Sequence, residues 1–186
     1  MEKIRLFIAI EVDASKKIKN LISELEETGI NAKIVGPKNM HLTLKFLGDT
    51  DTNLVDKIES AIQESVKETD SFDIKLKNVG VFPNTNYIKV FWIGIQDEDN
   101  LKRIAKEIDE RLNEIGFKKE RRKFSAHLTV ARIKSAKNKE KIIQLIDKYQ
   151  NTEFQKIKVE KIILKKSVLT LQGPIYTNLK EIKIGE

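Results

Sequence analysis

One order of elements occurs twice along this chain. The string FIAIEVD at 7–13 is matched by WIGIQDE at 92–98. A helical pattern ending at Gly29 is matched by one ending at Gly116, and His41-Leu42-Thr43-Leu44 is matched by His127-Leu128-Thr129-Val130. The offsets are 85, 87 and 86 residues. Three unlike elements at a nearly constant offset mark an internal duplication of a strand–helix–strand–helix unit. Such a unit predicts an α+β fold of two similar lobes. Each lobe is a mostly antiparallel sheet with helices on its outer side. A pseudo-two-fold axis brings the two HLT strands face to face, so that the two sheets face a central cleft with the helices outside. The 186 residues are thus expected to form a single domain of two duplicated lobes, with motif strands at 41–44 and 127–130.

The elements follow from periodicity and breakers. Residues 4–12, 40–47, 72–82, 86–95, 124–133, 154–169 and 175–184 read as strands, being short and rich in β-formers. Pro83-Asn84-Thr85-Asn86 is a hairpin signal. Residues 15–28, 53–67, 98–115 and 138–149 read as helices. The first has Ser15 as N-cap and Ile18, Leu21, Ile22 and Leu25 as its apolar stripe.

Composition removes several function classes. There is no cysteine, which excludes disulfides, thiolate nucleophiles, zinc ribbons and iron–sulfur clusters. The two histidines give too few ligands for a metal site, and no HExxH or Asp/His cluster flanks them. No apolar run approaches the roughly 20 residues of a membrane helix. The opening MEKIRLFIAIEVD reads as a strand, not as a secretory leader. The expected location is the cytoplasm, with no membrane contact.

The charge is +7, from 35 basic and 28 acidic residues, and only six of the basic residues are arginine. Such a surface suits anionic partners, nucleic acid among them. Equally, Lys/Glu-rich surfaces accompany high growth temperature. The densest basic run, Lys118-Lys119-Glu120-Arg121-Arg122-Lys123, lies just before His127. Its plainest reading is a solvated loop.

Along a strand, residues i and i+2 point to one side. His41 and Thr43 therefore share a face, as do His127 and Thr129, while Leu42, Leu44, Leu128 and Val130 point into a core. Each motif presents an imidazole beside a hydroxyl, and the duplication brings two such pairs to one cleft. The hydroxyls can donate to phosphoryl oxygens. One imidazole can accept a proton from a nucleophile while the other gives one to a leaving oxygen. Both of the chain's only histidines fall in matching strands, which packing alone does not explain.

The paired HxT strands resemble the signature of the 2H phosphoesterases. The strings RLFIAIEV (5–12), MHLTLKFLGD (40–49), AHLTVARIK (126–134) and SVLTLQGPIY (167–176) are similar to those of RNA 2′,3′-cyclic phosphodiesterases, a branch long labelled 2′-5′ RNA ligases. The likeness covers essentially the whole chain. It departs at Ala126, where many relatives have proline, and in the turn Leu169–Pro174. The resemblance implies a bilobal α+β fold and hydrolysis of a 2′,3′-cyclic phosphate to a 2′-phosphate without metal or organic cofactor. It implies His41 as proton donor to the 3′ oxygen and His127 as the acceptor that activates water. Thr43 and Thr129 hold the phosphoryl oxygens, and the reverse reaction would join RNA ends. The partner is RNA with a cyclic phosphate end, or a cyclic nucleotide, and the expected state is a monomer. Two other readings stay open: another 2H reaction such as cleavage of 2′-5′ linkages, and a non-catalytic RNA-binding module.

Four further residues are candidate substrate contacts. Phe7 and Trp92 are equivalent in the duplication, with Ala9 and Gly94 two positions on. On a cleft face the aromatics would stack on a base. Lys45 shares the His41 face by alternation. Arg132 alternates away from His127 and needs a bulge to reach the site. Phe46 alternates into the core, and Tyr176 reads as packing between the last strands.

Overall fold

The computed structural model describes residues 2–135 and 137–185. Its strands are β1 (Lys3–Glu11), β2 (Ala32–Ile34), β3 (His41–Asp51), β4 (Phe72–Asn84), β5 (Tyr87–Gln96), β6 (His127–Ile133), β7 (Glu153–Val159), β8 (Lys161–Thr170) and β9 (Gly173–Lys183). The helices are α1 (Lys16–Glu27), α2 (Val55–Val66), α3 (Asp99–Glu114) and α4 (Lys139–Tyr149).

The local chemistry of these elements is direct. Ser15 Oγ accepts from the Ile18 amide at 3.3 Å, capping α1. Gly29 and Gly116 follow α1 and α3 with φ of +66° and +101°, backbone that a Cβ disfavours. The buried stripe of α1 is Ile18, Leu21, Ile22 and Leu25, and that of α3 is Leu101, Ile104, Ala105, Ile108 and Leu112. Each Leu or Ile fully removed from water contributes about 1.5–3 kcal/mol, so the stripes, not helix propensity, fix the helices in place.

The strands are ordered β7-β4-β5-β6-β3-β1-β8-β9, with β2 beside β6. All the pairings are antiparallel. The expected α+β architecture is present as two four-stranded halves, β7-β4-β5-β6 and β3-β1-β8-β9, that meet at β6 and β3. Leu42 opposite Leu128 is the pair that links them, so the halves form one curled sheet. One face carries the main core: Leu6, Ile8, Ile10, Leu42, Leu44, Phe91, Ile93, Leu128 and Val130 join the helix stripes there. The opposite face carries Phe7 and Ala9, buried but outside that cluster.

Two details depart from the sequence reading. The stretch 154–169 is two strands, broken at Glu160. β7 pairs with β4 and β8 pairs with β1, so the chain passes between outer parts of the two halves at the break. Ile157 and Val159 before it and Ile162 and Ile163 after it keep the apolar pattern running, which hides the change of partner. The three-residue β2, on Ala131–Ile133 of β6, is too short to show a period. No helix among the described residues is long and apolar enough to cross a membrane.

Candidate active site

The Leu42–Leu128 pair sets the positions beside it. In an antiparallel ladder the next residues along face each other. His41 therefore lies beside Thr129, and Thr43 beside His127, on the face away from the core. The four side chains form a quartet with the histidines on one diagonal, where Cβ atoms lie about 7–8 Å apart. All four are partly exposed, whereas Leu42 and Leu128 are 2% and 0% exposed.

Each imidazole is held the same way. His41 Nδ1 lies 2.7 Å from the Asn39 carbonyl, and His127 Nδ1 lies 2.8 Å from the Ser125 carbonyl. A carbonyl can only accept, so Nδ1 carries the hydrogen in both rings. That leaves both Nε2 atoms free to exchange protons in the cleft. An aromatic edge also braces each ring. Tyr176 meets His41 with centroids 5.3 Å apart at 89°, and Phe82 meets His127 at 5.0 Å and 86°. Phe7 packs beneath His41 at 4.9 Å.

A β-bulge follows each motif. Ala9 is opposite Thr43 and Ile8 opposite Lys45, so Leu44 is the extra residue of β3. Trp92 is opposite Thr129 and Phe91 opposite Ala131, so Val130 is the extra residue of β6. Past each bulge the alternation is inverted. Leu44 and Lys45 both turn to the helix side, as do Val130 and Ala131. Phe46 and Arg132 then emerge on the cleft side, both exposed.

This corrects three expectations. Lys45 is not on the His41 face: it is buried and ion-paired with Asp109 of α3. Phe46 is not core, being 65% exposed, with its ring 6.0 Å from that of Phe7. Phe7 is 3% exposed and lies under His41, so its faces are not open to a base. Trp92 is half-buried, lying over Gly80, where a Cβ would come within 2.4 Å of the indole. Its Nε1 is buried with no hydrogen-bond partner among the described residues.

Three features escaped the sequence reading. Tyr176 stands against both His41 and Phe7. The carbonyls of Asn39 and Ser125 are the residues two before each histidine, and the 86-residue repeat contains that signal. The third is an ion pair: Glu11 is opposite His41 in the register, and Lys165 Nζ lies 2.5 Å from its Oε1 and 2.6 Å from Asn178 Oδ1. Burial pushes the Glu11 carboxyl up, but Lys165 and Asn178 outweigh it and hold Glu11 below its ordinary value. Burial holds His41 below its ordinary 6.5, against the bond to Asn39; Lys165 and Arg132 add to the depression and Glu11 opposes it. Burial raises the Tyr176 phenol, against Arg132 and Arg5. No group of three or more His, Cys, Asp or Glu side chains placed for a metal ion occurs among the described residues.

Residues 12–166 match the family described as the 2′-5′ RNA ligase superfamily. Fold, paired motif strands and this match agree: the chain belongs to that superfamily. Its relatives include the RNA 2′,3′-cyclic phosphodiesterase of Methanocaldococcus jannaschii, 42% identical over 96% of this chain and 99% of that one. The protein of the same name from Methanothermobacter thermautotrophicus is 33% identical over 98% and 100%. A Thermus thermophilus crystal structure superposes with a TM-score of 0.79 at 23% identity, covering 98% of each chain, a likeness of fold. With relatives of this kind along nearly its whole length, the chain is an enzyme of the hydrolase class.

Proposed function

We propose that this protein hydrolyses the 2′,3′-cyclic phosphate at an RNA end, or on a nucleotide, to a 2′-phosphomonoester by two-histidine acid–base catalysis. The supporting observation is the quartet: two imidazoles with Nδ1 pinned by backbone carbonyls and Nε2 free, each beside a threonine hydroxyl. The names of the relatives at 33% and 42% identity support the substrate class.

In this reading the phosphoryl group sits over the quartet, with Thr43 and Thr129 donating to its non-bridging oxygens. His127 Nε2 takes a proton from water as the water oxygen bonds to phosphorus. The P–O3′ bond breaks, and His41 gives its Nε2 proton to the departing 3′ oxygen. Arg132, brought to the cleft side by its bulge, balances charge on the phosphoryl oxygens. The free protein disfavours the imidazolium form of His41, and the donor needs that form. The anionic substrate offsets Lys165 and Arg132, so His41 charges as substrate binds. With a 5′ hydroxyl in place of water as the nucleophile, the same transfers join it to the cyclic end through a 2′-5′ linkage as the P–O3′ bond breaks, and the reverse of that step cleaves the linkage. We further propose that the two halves descend from one duplicated unit within a single domain.

The test is incubation with a 2′,3′-cyclic mononucleotide and with a cyclic-phosphate-ended RNA in EDTA, followed by chromatography of the products. The expected product is the 2′-phosphate alone. A 3′-phosphate would overturn the donor and acceptor assignment. No turnover of either would overturn the activity.

A further inference from the structure

The Lys45–Asp109 pair organises the basic run that the reaction above does not use. Lys45 Nζ donates to the Lys118 carbonyl at 3.0 Å while it pairs with Asp109. The Asp109 carboxylate accepts the Glu120 amide at 3.0 and 3.2 Å. Glu120 Oε1 accepts the amides of Arg121 and Arg122 at 3.0 and 3.3 Å. The one acid in the run is thus turned to its own backbone. Lys118, Lys119, Arg121, Arg122 and Lys123 are exposed, and none has a carboxylate in ion-pair range among the described residues. Exposed lysines elsewhere are paired with acids, as Lys148 and Lys156 are, or stand singly among the described residues, as Lys16, Lys19 and Lys57 do, so what sets this run apart is its density. Five unneutralised cations in six residues make a local positive field that a merely solvated loop has no reason to hold in place.

The position of this loop gives the field a direction. It runs straight into His127, beside Thr43. Its anchor Lys45 lies two residues past Thr43 and turns to the helix side, while the next residue along β3, Phe46, emerges on the cleft side, 65% exposed. Cations that track phosphates and open aromatic rings that stack on bases are together the parts of a platform for a single nucleic-acid strand.

We propose that the loop Lys118–Lys123, clasped by Lys45 and Asp109, docks the phosphodiester backbone of single-stranded RNA whose end occupies the cleft, and that Phe46 stacks on a base of that strand. This rests on the proposed function and deepens it: the preferred substrate is an RNA chain over a mononucleotide.

The experiment uses the full chain, the double variant Arg121→Gln/Arg122→Gln, and Phe46→Ala. Binding of a fluorescent, 2′-phosphate-ended single-stranded RNA is measured by anisotropy across a salt series. Loss of two phosphate contacts should weaken binding about tenfold at low salt and reduce the log–log salt slope by about 1.4. Phe46→Ala should weaken binding about tenfold with the slope unchanged. The ratio of kcat/KM for RNA to that for a cyclic mononucleotide should fall about tenfold in each variant. Unchanged affinity and slope in the double variant would make the loop a solvated one and overturn the proposal. An unchanged ratio would overturn the substrate preference. If the wild type turned over neither substrate, the proposed function would fail, and the binding series would still decide the loop.

Discussion

Leu42 and Leu128 face each other across β3 and β6, 2% and 0% exposed, as the pair that links the two halves of the sheet. Burying these two leucines turns both histidines and both threonines to the other side at the same level. The register of the cleft is therefore fixed by apolar packing.

Replacing either His41 or His127 by alanine should lower kcat/KM by about 10²–10⁴. Both residues are partly exposed, so circular dichroism and the melting temperature should change little. A variant turning over at the wild-type rate with its fold intact would remove that histidine from the mechanism.

The pH profile follows from His41. A proton donor is lost as pH rises through its pKa, and burial, with Lys165 and Arg132, holds that pKa below 6.5 in the free protein. The alkaline limb of kcat/KM, which reports free enzyme, should fall below 6.5. The corresponding limb of kcat should lie higher, because bound phosphate favours the imidazolium. Arg132→Gln should raise the kcat/KM limb while lowering the maximum. The reverse order of the two limbs would argue against His41 as donor.

Gly80 sits under the Trp92 indole, with no room for a Cβ. Gly80→Ala should destabilise by about 1–3 kcal/mol, lowering the melting temperature by about 2–4 °C per kcal/mol. Trp92 fluorescence should shift as the ring is displaced. Unchanged melting and fluorescence would mean that the ring moves aside freely.

Asp109→Ala leaves Lys45 buried without its counter-charge. That should cost about 3 kcal/mol, while the double change Lys45→Met/Asp109→Leu should recover most of it. Denaturant unfolding of the two proteins separates these outcomes. Equal stability would show that water reaches Lys45 as readily as Asp109 does.

The duplication made much of this molecule legible. Helix stripes, caps, the two motif strands and the α+β class all follow from local pattern, because a period of 2 or 3.6 is written in consecutive residues. Bulges are not written that way. One extra residue at Leu44 and another at Val130 invert the alternation, sending Lys45 into the core and bringing Phe46 and Arg132 to the cleft. Lys45 and Ala131 are equivalent at the 86-residue offset, as are Phe46 and Arg132. Strict alternation would leave Arg132, like Phe46, out of the cleft, and only the bulges bring them in. Tyr176 escaped for another reason: its neighbours Phe7 and His41 are distant in sequence, and only the pairing of β8 with β1 and of β9 with β8 brings it to them.

The passage between outer parts of the halves at Glu160 also constrains the order in which the molecule can be completed. β1 is made first, but its outer neighbour β8 lies beyond the whole second half. As the chain leaves the ribosome, one edge of β1 stays open until Lys161–Thr170 emerges. An unpaired strand edge is where nascent chains adhere to one another. The early edge carries Lys3, Arg5 and Glu11, charges that keep a growing chain apart from its neighbours until the last hairpin closes over it.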